Sequence, residues 1–480
     1  MLFFSISPFF AQQTVTLGDA IRIAQSNSFD AQLARFSFLS SYWAYKSYKA
    51  ELLPSMNLSG GLMNFNHSRV EARNAEDGKI NYVDNNSLVN SLTLSLRQPV
   101  SCLGGTLSLQ SYLYRLDQFD YNMTTYNTLP LRLSYSQPFT SYNEWKWRKK
   151  TEPKEYEKAK RVYQESIEDI AIKVSSLYFA AISALSDYQQ SLAKSQDLEE
   201  LYRISQRRLE LGTITKGDLL QLELSKLNAE VTVNEAKVKL NDSLYDLFSY
   251  MRVTDYEHAN LLPPENVLDM VLNVNDVLLK ARTNSSHAIT QDLELIAAQQ
   301  NLAKAKSAQG IQMHLNAEVG FNRTADGFAA AYGHLQDNEI IGVTVTVPIF
   351  DWGVKKGRVM VAKSNLELAK TKREQADNDY VQSVKREVMQ FSLQAALCRT
   401  SLQAQRISQE RYDITKKRFE AGNVSVTELN TALQELETAK SQYISQLRTY
   451  WNYYYTLRKF TLYDWVQHQE LTVDFDALVL

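Results

Sequence analysis

The sequence predicts a mainly α chain, built as a tandem repeat of long coiled-coil helices with β-strands that cross a membrane set into each repeat. Three observations carry that reading. The chain repeats itself internally, glycine and proline are scarce, and the few β-rich stretches alternate strictly between apolar and polar residues.

The repeat is plainest at RRLELGTITKGDLLQLEL, from Arg207, and KRFEAGNVSVTELNTALQ, from Lys417, an offset of 417 − 207 = 210. At that offset Tyr202 meets Tyr412, Arg208 meets Arg418, Gly212 meets Gly422, Leu219 meets Leu429, and Pro138 meets Pro348. An earlier stretch repeats at a different offset: Asp19, Ala24 and Asn27 match Asp276, Ala281 and Asn284, 257 residues on. The first half therefore carries 257 − 210 = 47 extra residues between its first helix and its long helix.

The 480 residues include only 16 Gly and 9 Pro, roughly half the usual share of each, so the elements are few and long. Each half reads in the same order. An amphipathic helix comes first (17–53; 274–310), then a β block (about 55–139; about 313–349). A very long helix follows (about 143–211; about 352–421), then a glycine-containing turn and a further helix. Alanine, leucine and isoleucine recur at three- and four-residue spacing with polar residues between them. A helix of 65–70 residues runs about 100 Å and needs partners along its length, which implies coiled-coil packing. The expected organisation is a signal-peptide remnant (1–11), a first repeat (12–253), a linker (254–268), a second repeat (269–460) and an acidic tail (461–480) packed outside the helices.

The strands come next. In IIGVTVTVP, Ile341, Val343, Val345 and Val347 share one face; in SLTLSLRQP, Leu92, Leu94 and Leu96 oppose Thr93, Ser95 and Arg97. LRLSYSQP and HLNAEVGFN alternate likewise. One apolar and one polar face suits a half-buried soluble sheet or a membrane barrel. Two facts favour the barrel. Leu2–Ala11 reads as the apolar region of a secretory signal, cut after Ala11 and without the usual basic segment. The apolar stripes of the long helices are used on one another, leaving nothing to cover the strands. No later stretch reads as a run of apolar residues long enough for a membrane helix, so strands must do the crossing. Six strands are expected, about 55–65, 91–99, 106–116, 130–138, 313–322 and 340–348, with Asn66–Asn90 as a polar outward loop. Six strands do not close a wide barrel alone, so several chains must share one.

Other classes find no support. Charged residues are 22% and the net charge is −2, which gives no basic footprint for nucleic acid. Cys102 and Cys398 form no CxxC, and the six histidines form no metal-binding pattern. No nucleotide loop, nucleophile–base pair or paired carboxylates point to an enzyme, and no cofactor or metal is expected.

These features together resemble the TolC family of outer-membrane efflux proteins. The resemblance covers about Val15–Phe460. It rests on VTLGDAIRIAQSNS opening the first helix, ELLPSMNLSGG leading into a strand, VPIFDWGVKKGRV leading from strand to long helix, and the doubled R-x-x-x-G-x(5)-[DE]-L stretch at Arg208–Leu219 and Arg418–Leu429. It implies a homotrimer with a shared β-barrel in the outer membrane of a Gram-negative bacterium and a helical tube in the periplasm. The implied partners are outer-membrane lipid, a periplasmic adaptor (membrane fusion protein), and an inner-membrane pump or ABC secretion transporter. The alternative is a periplasmic coiled-coil scaffold or adaptor, whose single helical hairpin between β halves would not give two repeats with strands inside each. One departure stands out: the better-known members supply four strands per chain, and six are counted here. Either the barrel is wider or an extra hairpin folds elsewhere.

The resemblance also gives the glycine stretches a place, as the helix turns that close the periplasmic entrance. Capping of two helices explains Gly212 and Gly422 without any further role. The functional reading makes Arg208, Gly212, Arg418 and Gly422 adaptor-docking tips, with Thr213 or Asn423 starting the return helix. Asp218 and Glu428 then ring the aperture, together with Thr431, which stands where the family has a second aspartate. The aromatic run Trp451–Tyr455 is expected to pack the last helix.

Overall fold

The computed structural model describes residues 14–73, 80–212, 214–254, 260–262, 267, 270–421 and 423–479. The expected signal segment and Gly422 lie outside these residues, as does most of the expected linker.

The first half runs β1 (Thr14–Val15), α1 (Leu17–Asn27), α2 (Phe29–Glu51), β2 (Ser55–Arg73), β3 (Ile80–Val100), β4 (Gly105–Gln118), β5 (Met123–Pro138), α3 (Glu144–Glu210) and α4 (Lys216–Met251). After β6 (Asn260–Leu261) come α5 (Val274–Asn284), α6 (His287–Gln309), β7 (Gln312–Ala325), β8 (Gln336–Thr346), α7 (Val354–Glu420) and α8 (Val426–Thr461). The tail holds β9 (Tyr463–Asp464), β10 (Gln469–Glu470) and α9 (Phe475–Val479). The repeat is written in these lengths. Both α3 and α7 have 67 residues and start 354 − 144 = 210 apart; α4 and α8 both have 36. Both α1 and α5 have 11 and start 274 − 17 = 257 apart.

The opening helix of each half differs from the single helix expected. Each breaks after three turns, at Ser28 and at Ser285, where ψ swings to 156° and 161°. The reason is local. Ser28 donates its N–H back to the Ala24 carbonyl to close α1, while its Oγ accepts from the Ala31 N–H (3.2 Å) to open α2. Serine serves as a cap more readily than as an interior helix residue.

The chain divides into two units. One holds the chain up to Ser40, Lys158–Ala288 and Ala376 onward; the other holds Ser41–Glu157 and Ile289–Gln375.

The first unit is helical. Its core joins both halves: Ala24 of α1, Val174, Tyr178 and Phe179 of α3, Leu247 of α4, Val277 and Ala281 of α5, Phe391 of α7, and Tyr450 and Leu457 of α8 are all buried. The Trp451–Tyr455 run lies in this core, where Tyr450 stacks on Phe391 with ring centroids 4.9 Å apart. Tyr178 Oη lies 2.8 Å from the Val15 carbonyl and 2.7 Å from that of Leu262, tying down the small parallel pair β1–β6. Arg458, half-buried, pairs with the buried carboxylates of Glu168 (3.0 Å) and Asp464 (3.2 Å). The tail packs here too, with Phe475 against Phe38 (5.0 Å) and Lys280 paired with Glu470 (2.9 Å).

One expectation about α3 needs correction. It contains a stretch that is long and apolar enough to cross a membrane, half of it buried inside the fold. The interior of this helical packing is as apolar as a membrane span, so composition alone does not separate the two.

The second unit contains one antiparallel sheet of six strands in the order β2-β3-β4-β5-β7-β8. The segment expected as an outward loop, Asn66–Asn90, is mostly strand: Asn66 pairs with Ser87, and the ladder continues to Arg73 with Ile80. Only residues 74–79 interrupt it, and they lie outside the described set. Asparagine is a poor strand former, but the ladder and a cross-strand Arg69–Asp84 pair at 2.9 Å override that preference. Both cysteines are free, Cys102 exposed and Cys398 buried.

Candidate functional site

Two constructions have the chemistry to conduct rather than to react: the two faces of the sheet and the paired helix turns. Among the described residues no group of His, Cys, Asp or Glu could hold a metal.

Cross-strand partners share a face, so the register sorts the sheet residues directly. Met56, Leu96, Leu109, Leu133 and Val319 form one row across five strands. Leu107, Tyr135, Ala317 and Ile341 form another. This apolar face is open: Met56 is 69% exposed, Leu58 67% and Ile341 79%. A soluble sheet buries such a face against a second layer. The opposite face carries Ser95, Gln110 and Arg132 in one row, with Glu318 beside it. There Arg132 donates to Gln110 (2.6 Å) and pairs with Glu318 (3.4 Å), and Ser136 Oγ donates to Asn316 (2.9 Å). Among the described residues the edges β2 and β8 have no partner strand.

The helix turns sit in the helical unit and pack on each other. A separate small core holds Leu198 and Leu201 of α3, Leu222 of α4, Tyr412 and Phe419 of α7, and Leu429 and Ala432 of α8. Asp197 joins α3 to α7, accepting from Tyr412 Oη (2.5 Å) and Lys416 Nζ (2.6 Å).

In the first turn, α3 ends at Glu210 and Gly212 takes φ = +70°, a region L-residues rarely visit. The return helix does not start at Thr213 or Asn423. Its caps are Thr215 and Ser425, both extended, with φ near −85° and ψ near 160°. Thr213, like Gly422, lies outside the described residues. The sequence signal was present as T-x-x-D and S-x-x-E, three residues from cap to acid.

The two caps differ in what they do with their acid. Asp218 closes a full capping box: its Oδ2 accepts from Thr215 N (3.1 Å) and Thr215 Oγ1 (2.8 Å). Those bonds, the Thr215 hydroxyl foremost, hold its carboxyl below the usual range. At the second turn only half the box forms. Ser425 Oγ accepts from Glu428 N (3.2 Å), and the exposed Glu428 carboxylate makes no hydrogen bond or ion pair among the described residues. Thr431 bonds back to the Thr427 carbonyl (2.9 Å). Of the two arginines, Arg208 is half-buried with its guanidinium 5.9 Å from the Phe419 ring, whereas Arg418 is exposed.

Residues 277–461 match the family model described as outer membrane efflux protein. Most of the chain superposes on solved outer-membrane channels. It covers 96% of itself and 88% of the Campylobacter jejuni CmeC outer membrane channel, with TM-score 0.66 and 16% identity. For the Vibrio cholerae outer membrane protein VceC the shares are 93% and 95%, with TM-score 0.64 and 14% identity. For the open state of the Neisseria gonorrhoeae MtrE outer membrane channel they are 93% and 88%, with TM-score 0.60 and 15% identity. No curated protein matches the chain.

The stretch that matches the family model runs from α5 to the last turn of α8, the repeat with two strands. Its counterpart in the first half is interrupted by the 47 extra residues, and the outer-membrane channel fold nonetheless extends over both halves. Sequence reasoning missed the residues that join the two turns, Asp197, Tyr412 and Lys416. Tyr412 matches Tyr202 in the repeat, but the position that matches Asp197 is Ile407, so this pair has no copy to reveal it.

Proposed function

We propose that three copies of this chain form a passive export channel in the outer membrane of a Gram-negative bacterium. They take cargo from a periplasmic adaptor and an inner-membrane pump or ABC secretion transporter. The observation that carries this reading is the sheet: an uncovered apolar face, a polar face opposite it, and two edges that are unpaired among the described residues. Lipid suits the apolar face and water the polar one. Pairing β8 of one copy with β2 of the next removes every edge. Because six is even, that new pair is antiparallel like the rest. A scaffold or adaptor reading leaves the apolar face in water. The test is the detergent-extracted membrane fraction on a gel, unheated and boiled. The channel gives a three-chain species that falls to one chain on boiling; a soluble monomer in both lanes overturns the proposal.

Within that channel the two turns divide the work. Glu428, unengaged, is the carboxylate that rings the aperture and favours cations, while Asp218 holds its helix end. Exposed Arg418 and the open turn at Gly212 meet the adaptor, with Arg208 contributing as it packs on Phe419. In planar bilayers, Glu428→Gln lowers cation preference and Asp218→Asn leaves it unchanged. The reverse pattern, or no change in either, removes the assignment.

A further inference from the structure

We infer that β3 and β4 are a hairpin inserted into an ancestral two-strand block, and that it widens the barrel wall from twelve strands to eighteen. The inference rests on the trimeric channel proposed above.

The repeat locates the insertion. Ser55, the start of β2, plus 257 is Gln312, the start of β7. Pro138, the end of β5, plus 210 is Pro348, two residues beyond the end of β8 at Thr346. So β2 corresponds to β7 and β5 to β8. The offset changes by 47 between them, and β3 and β4 occupy the gap with no counterpart in the second half. In the second half the corresponding strands pair directly, as β7 with β8. In the first half β2 and β5 are held apart, each pairing instead with one strand of the inserted hairpin.

The hairpin is wall, not decoration. It pairs along both sides: Ser55 to Arg97, Arg97 to Ser108, and Ser108 to Ser134. Its apolar residues keep phase with the strands around it. Leu96 and Leu109 lie in the row from Met56 to Val319, and Leu94 lies opposite Leu58. A slip of one residue would turn that whole set toward the polar face. Two strands were added, so the sheet still ends with edges that pair antiparallel between copies.

Three chains of six strands make eighteen; without the insert, three chains of four make twelve. Barrel diameter grows roughly in proportion to strand number, so the wall is about half again as wide, and its cross-section about twice as large. The inserted strands add Thr93, Ser95, Arg97 and Gln110 to the polar face. The membrane-spanning part of this channel therefore admits bulkier solutes than a four-strand chain would allow.

Two measurements on the full-length protein in lipid nanodiscs and bilayers test this. Cryo-electron microscopy of the wild-type trimer counts the strands. One variant deletes residues 67–118, joining Asn66 to the native turn at Phe119–Asn122 and returning β2 to the side of β5. The expected results are eighteen strands in the wild type and twelve in the variant. Neutral polymers added from the outer side should enter the variant only when about one third narrower than those that enter the wild type. A trimer with a twelve-strand wall and β3–β4 folded outside it overturns the inference and leaves the channel standing. So does an unchanged polymer cut-off in an assembled variant. If the variant does not assemble, the wild-type strand count decides alone. A wild type that forms no trimer or enters no membrane overturns the channel reading itself.

Discussion

The two halves of this chain agree to the residue where they are helical and part company where they are β. The long helices α3 and α7 have 67 residues each, whereas four strands lie between α2 and α3 and two between α6 and α7. The difference follows from how each part is held. Helices of both halves meet in two shared cores, so a change in one copy there must be matched in its neighbours. A sheet accepts a hairpin anywhere along its width if phase is kept, because each strand touches only the two beside it.

The largest effect is expected where the helical copies do differ. Arg458 in the second half stands where the first has Phe248, and it pairs with the buried carboxylates of Glu168 and Asp464. Making the halves alike with Arg458→Phe strands the buried Glu168 carboxylate, while Asp464 keeps its bonds from Tyr454, Val466 and Gln467, and should cost about 3–5 kcal/mol in reversible unfolding followed by circular dichroism. Adding Glu168→Gln should recover part of it. If Arg458→Phe alone costs nothing, the pair is not buried as described.

The sheet offers the next contrast, between its own faces. Leu94→Arg should destabilise the assembled protein by about 2–4 kcal/mol if Leu94 lies near the bilayer midplane, while Thr93→Arg, on the polar face, should alter conductance with little change in stability. Equal costs at both positions would mean that the faces are not separated between lipid and water.

The smallest expected effect lies at the first turn. Space around Gly212 is open, with no atom within 4 Å of an added Cβ, so Gly212→Ala is opposed by its φ of +70° alone. The cost should be about 1 kcal/mol in thermal unfolding. A neutral result would show the turn relaxing to another backbone.

Much of this was legible in the sequence. The ends of the long helices fall within one or two residues of expectation because a 3.6-residue pattern over so many turns leaves little choice. All six strands were expected, four of them from strict alternation. What escaped was local or non-local in definite ways. The breaks at Ser28 and Ser285 depend on single serines that cap two helices at once. The outer parts of β2 and β3 lack strand-forming composition and are held by their pairing. The Thr215 and Ser425 caps were readable as motifs, but the fact that Asp218 bonds back while Glu428 does not depends on one methylene of side-chain length. The pairing of Asp197 with Tyr412 and Lys416 joins residues more than 200 apart and leaves no pattern.

The central claim is that one face of the sheet meets lipid and the other meets water. A fluorescent nitrobenzoxadiazole probe on single cysteines at 92–97 in β3 tests it directly, in a Cys102→Ser background. The buried Cys398 thiol, its pKa pushed up to about 11 by burial, stays unlabelled. The account predicts a two-residue period in reconstituted vesicles: probes at positions 92, 94 and 96 quenched by spin-labelled lipid, those at 93, 95 and 97 by aqueous iodide. Quenching by iodide at all six, or no alternation between them, would contradict it.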